Sequence, residues 1–243
     1  MQALDVQMNG PDVSGPHIGR AGVSGVTAQA VSALVSAGLA PHRAERLFAA
    51  RLEVEQHPPG TVIAAEGRSP MTWLLDGWLC EARILERERR QIFSFAIPGD
   101  VVEAPLAPRS RTVVALTAVA CVDVGELLGQ TDDADEVHKA MRRVIALATA
   151  RRYDHLARLW RRSAVGRLAS LLVELHDRLD QVGLVKGDEF ALPLRHEELA
   201  DALGLSTVHV TRCFKILRER GLMTMKFRRI SGFDRAELEK LED

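Results

Sequence analysis

The amino-acid sequence predicts an α+β fold in three parts: a small β sandwich or roll, one long helix, and a C-terminal helix-turn-helix with a β wing. Three observations predict it. Short apolar runs separated by Gly- and Pro-containing turns occupy residues 51–124. A long stretch of helical periodicity follows, from Thr131 to Arg162. The segment PLRHEELADALGLSTVHVTRCFKILRERGLMTMKFRRISG, Pro193 to Gly232, then reads as two short helices about a glycine, followed by a basic hairpin.

Composition sets the outer bounds. At 243 residues, with 47% hydrophobic and 27% charged, the chain holds ample material for the core of one or two domains. No apolar run approaches the ~20 residues of a membrane helix, and the N-terminus lacks the charged-then-apolar order of a signal peptide. Cys80, Cys121 and Cys213, odd in number and widely spaced, form no disulfide framework and suit a reducing compartment. A cytoplasmic protein without a membrane partner is expected. The net charge of -1 names no partner by itself.

The elements follow in order. Residues 1–25 are rich in Gly, Ser and Pro and are expected to be a disordered tail. Val26 to Ala50 is Ala-rich and predicts one or two helices broken at Gly38 and Pro41. The strands are expected in TVIAAE, TWLLD, WLCEARIL, QIFSFAI and TVVALTAVACVDV, between turns at Pro59-Gly60, Glu66-Gly67, Asp76-Gly77 and Pro98-Gly99-Asp100. The long helix opens on Asp132, Asp133, Asp135 and Glu136, where the helix dipole favours acids. Its apolar stripe runs through Val137, Met141, Val144, Ala148, Tyr153, Leu156 and Trp160. Leu168, Leu171, Leu172, Leu175 and Leu179 mark a further helix over Ser163 to Val182. The expected domains are therefore 26–131, 132–162 and 163–243.

Within the C-terminal segment, Leu194, Leu199, Ala200 and Leu203 line one face of the first short helix. Gly204 supplies its left-handed stop, and Ser206 is a natural N-cap for the second. Val210, Cys213, Phe214 and Leu217 fall on the inner side of that helix; Thr207, Val208, Thr211, Arg212 and Lys215 fall outside. From Ser206 to Ile230 the basic residues Arg212, Lys215, Arg218, Arg220, Lys226, Arg228 and Arg229 face one acid, Glu219. In a chain of almost zero net charge this is a placed patch, the footprint of binding to a phosphate backbone.

These residues resemble the winged helix-turn-helix of the cyclic-AMP receptor protein and fumarate-nitrate regulator superfamily of bacterial transcription factors. EELADALGLSTVHVTRCFKILRERGLM stands in the place of that family's DNA-reading motif, and the likeness reaches back to about residue 51. The resemblance implies a β-roll sensor domain of the cyclic-nucleotide-binding kind, carried by GTVIAAEG, LLDGWL and RRQIFSFAIPGD. It also implies that the long helix dimerises, with Val137, Met141, Val144 and Ala148 meeting a second copy. The implied partner is a palindromic double-stranded operator, and RNA polymerase is a further partner that the family admits. Arg212 stands where the family's guanine-contacting arginine lies, and a guanidinium binds guanine O6 and N7 together. Thr211 is a second candidate for a base or a phosphate. Val208 replaces a glutamate of well-studied relatives and suits a thymine methyl, and Thr207 replaces a second arginine. Ser206, His209 and Lys215 are assigned to the interface, with Arg228 and Arg229 on phosphate from the wing.

Family members that bind a cyclic nucleotide carry a Gly-Glu pair and, about ten residues on, Arg-Ser or Arg-Thr. GDVVEAPLAPRSRTVVAL keeps Glu103, Arg111 and Thr112 as the candidate effector residues. It has Val102 in place of the glycine, a shorter intervening segment, and Pro105 and Pro108 where a phosphate-cradling helix belongs. Cyclic AMP is therefore not the expected effector. Three cysteines fall short of the four thiolates of an iron-sulfur cluster, no histidine pair marks a haem, and His196-Glu197-Glu198 lacks the second histidine of a metalloprotease. No catalytic constellation, metal or cofactor is expected. The rival reading is a ligand-sensing regulator that acts through a protein partner without binding DNA.

Overall fold

A computed structural model describes residues 23–49, 52–63, 71–85, 90–103, 111–129 and 134–241. Most of the stretch expected to be disordered lies outside them, as do the Glu66-Gly67 turn, Pro105, Pro108, Asp132 and Asp133. Helices α1 (Val23–Ser36) and α2 (Pro41–Ala49) come first, separated at Gly38 and Pro41. Proline is tolerated in the first turn of α2 because its missing N–H has no helical partner there anyway.

Eight strands follow: β1 (Glu55–His57), β2 (Val62–Ile63), β3 (Met71–Asp76), β4 (Leu79–Ile84), β5 (Arg90–Ala96), β6 (Val101–Glu103), β7 (Thr112–Ala115) and β8 (Val119–Asp123). They form two antiparallel four-stranded sheets, in the orders β1-β8-β3-β6 and β2-β7-β4-β5. The roll expected from the sequence is present. Its strands β1 and β6 were not anticipated, because three residues are too few to display an alternation. The run from Thr112 is two strands, folded back at Leu116–Ala118.

Helix α3 (Val124–Gly129) leads to the long α4 (Ala134–Arg161). Val137, Ala140, Met141 and Val144 on α4 pack into a cluster with Leu34, Phe48, Trp73 and Val122 of the same chain. This corrects the expected dimer seam: Val137, Met141 and Val144 are 1%, 2% and 7% exposed and already have their partners. Ala148, next on that line, borders a small cavity with Glu81, Arg152 and Arg178. The step from Ala148 to Tyr153 is five residues, which turns the stripe by about 140° around a helix of 3.6 residues per turn. Beyond it the inner face is polar, with Arg151, His155 and Arg158, while Tyr153, Leu156 and Trp160 point outward.

Helix α5 (Ala164–Gln181) starts at Ser163, whose Oγ accepts the Gly166 N–H at 3.1 Å. After β9 (Phe190–Ala191) come α6 (His196–Leu203), α7 (Thr207–Glu219), β10 (Thr224–Lys226), β11 (Arg229–Ser231) and α8 (Arg235–Glu239). Strand order in the third sheet is β10-β11-β9. The C-terminal helices do not hang free of the roll. Trp78, Cys80, Ile92 and Phe95 share one apolar cluster with Leu168, Leu172, Leu199 and Leu203. Polar contacts cross the same junction: Arg90 Nε donates to Asp201 Oδ2 at 2.7 Å, and Gln91 Nε2 to the Asp201 carbonyl at 2.8 Å. Among the described residues, no helix is long and apolar enough to cross a membrane.

Candidate nucleic-acid interface

The α6–turn–α7 unit is built by local chemistry. The Glu198 carboxylate, 2% exposed, accepts the Arg195 backbone N–H at 2.7 Å and so fixes the start of α6. Gly204 ends it at φ 63°, ψ 37°, a left-handed conformation that a side chain disfavours. Ser206 then caps α7, its Oγ accepting the His209 N–H at 3.3 Å. Val210, Cys213, Phe214 and Leu217 are buried against α5 and α6. Burial raises the Cys213 thiol pKa, against the charge of Arg212, and the residue is packed as a small hydrophobe.

The outward side chains fall into two groups. Some are already engaged inside the chain. Thr211 Oγ1 donates to the Thr207 carbonyl at 2.9 Å and stands 3.0 Å from His196 Nδ1, and His196 stacks on Phe214. His209 Nδ1 lies 3.1 Å from Ser206 Oγ, and Lys215 pairs with Glu219 at 3.6 Å. Arg229 is ion-paired with Glu189. Others are not. Among the described residues, the Arg212 side chain makes no hydrogen bond or ion pair and stands exposed beside Val208, itself 66% exposed. The Arg228 side chain at the wing turn is in the same position, while its backbone carbonyl accepts the Leu192 N–H at 2.8 Å.

The wing holds a residue that the sequence reading passed over. A two-residue turn joins β10 to β11, with Lys226 paired to Arg229, Met225 to Ile230 and Thr224 to Ser231. Both turn residues, Phe227 and Arg228, have positive φ, 48° and 57°. Such turns match the twist of a hairpin but usually carry Asn or Gly. Phe227 is 97% exposed at the tip, an aromatic ring between cations. An aromatic interleaved with Lys226, Arg228 and Arg229 was the available signal.

The candidate effector residues are drawn together but satisfied internally. Arg111 Nη1 donates to Glu81 Oε2 at 3.0 Å; Nη2 donates to the Glu103 carbonyl at 2.9 Å and to Glu103 Oε2 at 3.3 Å. Thr112 Oγ1 donates to the Ala82 carbonyl at 3.2 Å. Arg152 of α4 reaches the other Glu81 oxygen at 2.6 Å. The guanidinium that a cyclic phosphate needs is thus held by two carboxylates.

Comparison with known proteins places this geometry. Residues 166–241 match the model of the Crp-like helix-turn-helix domain. The chain is 31% identical over 175 residues to the nitrogen fixation regulation protein FixK of Bradyrhizobium diazoefficiens, covering 69% of this chain and 72% of that protein. It is 30% identical over 195 residues to FixK of Rhizobium meliloti, covering 78% and 83%. Among solved structures, FixK2 from Bradyrhizobium japonicum superposes with a TM-score of 0.66 at 23% identity, over 80% of this chain and 98% of that one. TTHA1359, a CRP/FNR-family transcriptional regulator from Thermus thermophilus, gives 0.56 at 21% identity, over 78% and 98%.

Proposed function

Because the chain belongs to the Crp/Fnr superfamily of DNA-binding transcription regulators, we propose that it reads a two-fold symmetric operator as a cytoplasmic homodimer, without catalysis of its own. One observation carries the reading of the site: Arg212 stands exposed on the outer face of α7 with no internal partner among the described residues. A guanidinium so placed docks edge-on to a guanine in the major groove. Val208 beside it offers an apolar contact to a thymine methyl. Ser206, Thr207, His209, Thr211 and Lys215 complete the outer face and bear mainly on phosphates. Arg228 anchors the wing on the backbone, Arg229 does so once released from Glu189, and Phe227 rests in the adjoining minor groove.

The seam that joins two copies lies on the outward face of α4. Ala146, Ala150, Tyr153, Ala157 and Trp160 are all exposed and recur at steps of four and three, the spacing of a two-stranded coiled coil. Leu147, 55% exposed, and Leu156, 46% exposed, flank them. Small residues alternating with two aromatics let two helices approach closely. The sensor roll does not respond to cyclic AMP, since Glu81 and Glu103 occupy Arg111. RNA polymerase is the further partner through which a DNA-bound dimer acts.

The test is duplex binding as a function of salt. A protein that displaces counterions from phosphates loses affinity linearly on a log–log plot, with a slope near -0.9 per phosphate contacted. A selected operator of two half-sites, with centres roughly 34–36 Å apart, is the expected outcome. Salt-independent or undetectable duplex binding overturns the proposal.

A further inference from the structure

At one edge of the first sheet, β1 and β8 run antiparallel with Glu55 directly opposite Cys121 and His57 opposite Val119. Residues two apart on a strand share a face, and so do directly opposed residues on neighbouring strands. Glu55, His57 and Cys121 therefore project to the same side. Their donor atoms all lie within 4.8 Å of one another, and His57 Nε2 is 3.3 Å from Glu55 Oε2. The Cys121 residue is 2% exposed, whereas the His57 and Glu55 side chains are 27% and 28% exposed. The cluster has a buried sulfur end and a solvent-facing oxygen and nitrogen end.

We propose that Glu55, His57 and Cys121 form a binding site for one zinc-class divalent cation. A tetrahedral ion with bonds of about 2.0–2.3 Å sets its donors roughly 3.3–3.8 Å apart. The three atoms reach that spacing by closing about 1 Å, within side-chain torsion and without moving the strands. Thiolate and imidazole donors exclude magnesium and calcium, which take oxygen ligands, and favour zinc, cobalt or copper. Three protein donors leave a fourth position, on the exposed side, for water or a small ligand. This cluster is separate from Glu103, Arg111 and Thr112, which lie on β6 and β7 or just before β7.

The position gives such an ion a structural consequence. β8 runs directly into α3, where Asp123 Oδ1 accepts the Glu126 N–H at 3.1 Å. Glu126 Oε1 in turn accepts the Glu53 N–H, at 3.3 Å, just before β1. An ion that cross-links β1 to β8 braces this loop of contacts, through which the roll leads into α4. The competing account is electrostatic: β1 is an edge strand, and inward charges on edge strands block pairing with other chains.

The experiment uses full-length protein, stripped with a chelator and titrated with cobalt(II). The expected result is one equivalent bound per chain, with a thiolate-to-cobalt charge-transfer band and intense tetrahedral d–d bands, both lost when zinc(II) is added. Cys121→Ser removes the charge-transfer band, while Cys80→Ser and Cys213→Ser keep it. His57→Gln, at a part-exposed position where folding is not at risk, weakens binding at least tenfold, since even loss of an outer-shell partner costs 10–100-fold, to order of magnitude. Absence of the band overturns the proposal. So does a band that persists in Cys121→Ser, or binding indifferent to His57→Gln, either of which leaves the edge-strand account standing.

Discussion

Arg178 on α5 donates to the Asp100 carboxylate, in the turn between β5 and β6, and the same nitrogen reaches the Phe95 carbonyl at 3.0 Å. Its other terminal nitrogen holds Glu174 at 3.1 Å. Burial works against the charge, but Asp100 and Glu174 outweigh it and raise the pKa above the ordinary arginine value. Asp100 also takes Arg151 of α4 at 3.1 Å. Burial and the nearby Arg178 lower the Arg151 pKa. One carboxylate of the roll thus joins the long helix to the first helix of the DNA-binding unit.

Removing one partner of a buried pair leaves the other uncompensated, at a cost of about 3–5 kcal/mol. Arg178→Met is therefore expected to destabilise by that order, measured by urea unfolding, and Arg178→Met with Asp100→Asn by less than the sum of the two. Strict additivity in that cycle shows that the pair does not couple the roll to α5.

The seam on α4 is tested by charge. Ala150→Glu with Tyr153→Glu is expected to give a folded monomer whose operator affinity is greatly reduced, followed by sedimentation and duplex titration. Val144→Asp, by contrast, puts an unpaired charge in the chain's own core and is expected to unfold it. A dimer that survives the double substitution moves the seam off this face.

How far the sequence carried these conclusions differs from element to element. The α6–turn–α7 unit was legible because Gly204, Ser206 and the inner face of α7 act through neighbours a few residues away. The seam was not. Val137 to Val144 and Tyr153 to Trp160 are similarly apolar in sequence, and only the packing of α1, α2 and β3 decides which half is already covered. Glu55, His57 and Cys121 gave no signal either. β1 is too short for periodicity, and Cys121 arrives from the far end of the roll. Phe227 went unremarked because Phe-Arg is not a turn sequence from which positive φ is inferred.

Cyclic AMP at millimolar concentration is expected to leave the melting temperature and DNA affinity unchanged, because Arg111 is held by Glu81 and Glu103. A ligand at a hundredfold excess over its Kd stabilises by about 2.7 kcal/mol. An upward shift abolished by Arg111→Ala would mean that the two carboxylates yield the arginine to phosphate.

Phe227 separates stability from binding. A bulky residue in the left-handed region costs roughly 1–2 kcal/mol, and its ring, 97% exposed, recovers nothing inside the chain. Phe227→Gly is expected to raise stability by about 1 kcal/mol while weakening operator binding. Unchanged affinity in the more stable variant removes the wing tip from the interface.

The sharpest test separates Arg212 from Arg228. Both side chains are exposed and make no internal bond among the described residues, yet on the proposed reading α7 presents one to base edges and the wing turn presents the other to phosphate. Loss of a bidentate guanine contact costs about 1–3 kcal/mol at one base pair, whereas loss of a phosphate contact weakens every sequence alike and reduces the salt slope by about one. Arg212→Ala is therefore expected to flatten preference at one symmetric position in each half-site of a randomised operator library. Arg228→Ala is expected to leave the preference profile intact and lower the slope. Arg229 makes a poorer comparison, because its substitution also breaks the pair with Glu189 that ties the wing to the segment before β9. If Arg212→Ala instead lowers affinity uniformly across the library, Arg212 is a backbone anchor, and the reading face of α7 lies elsewhere on its outer surface.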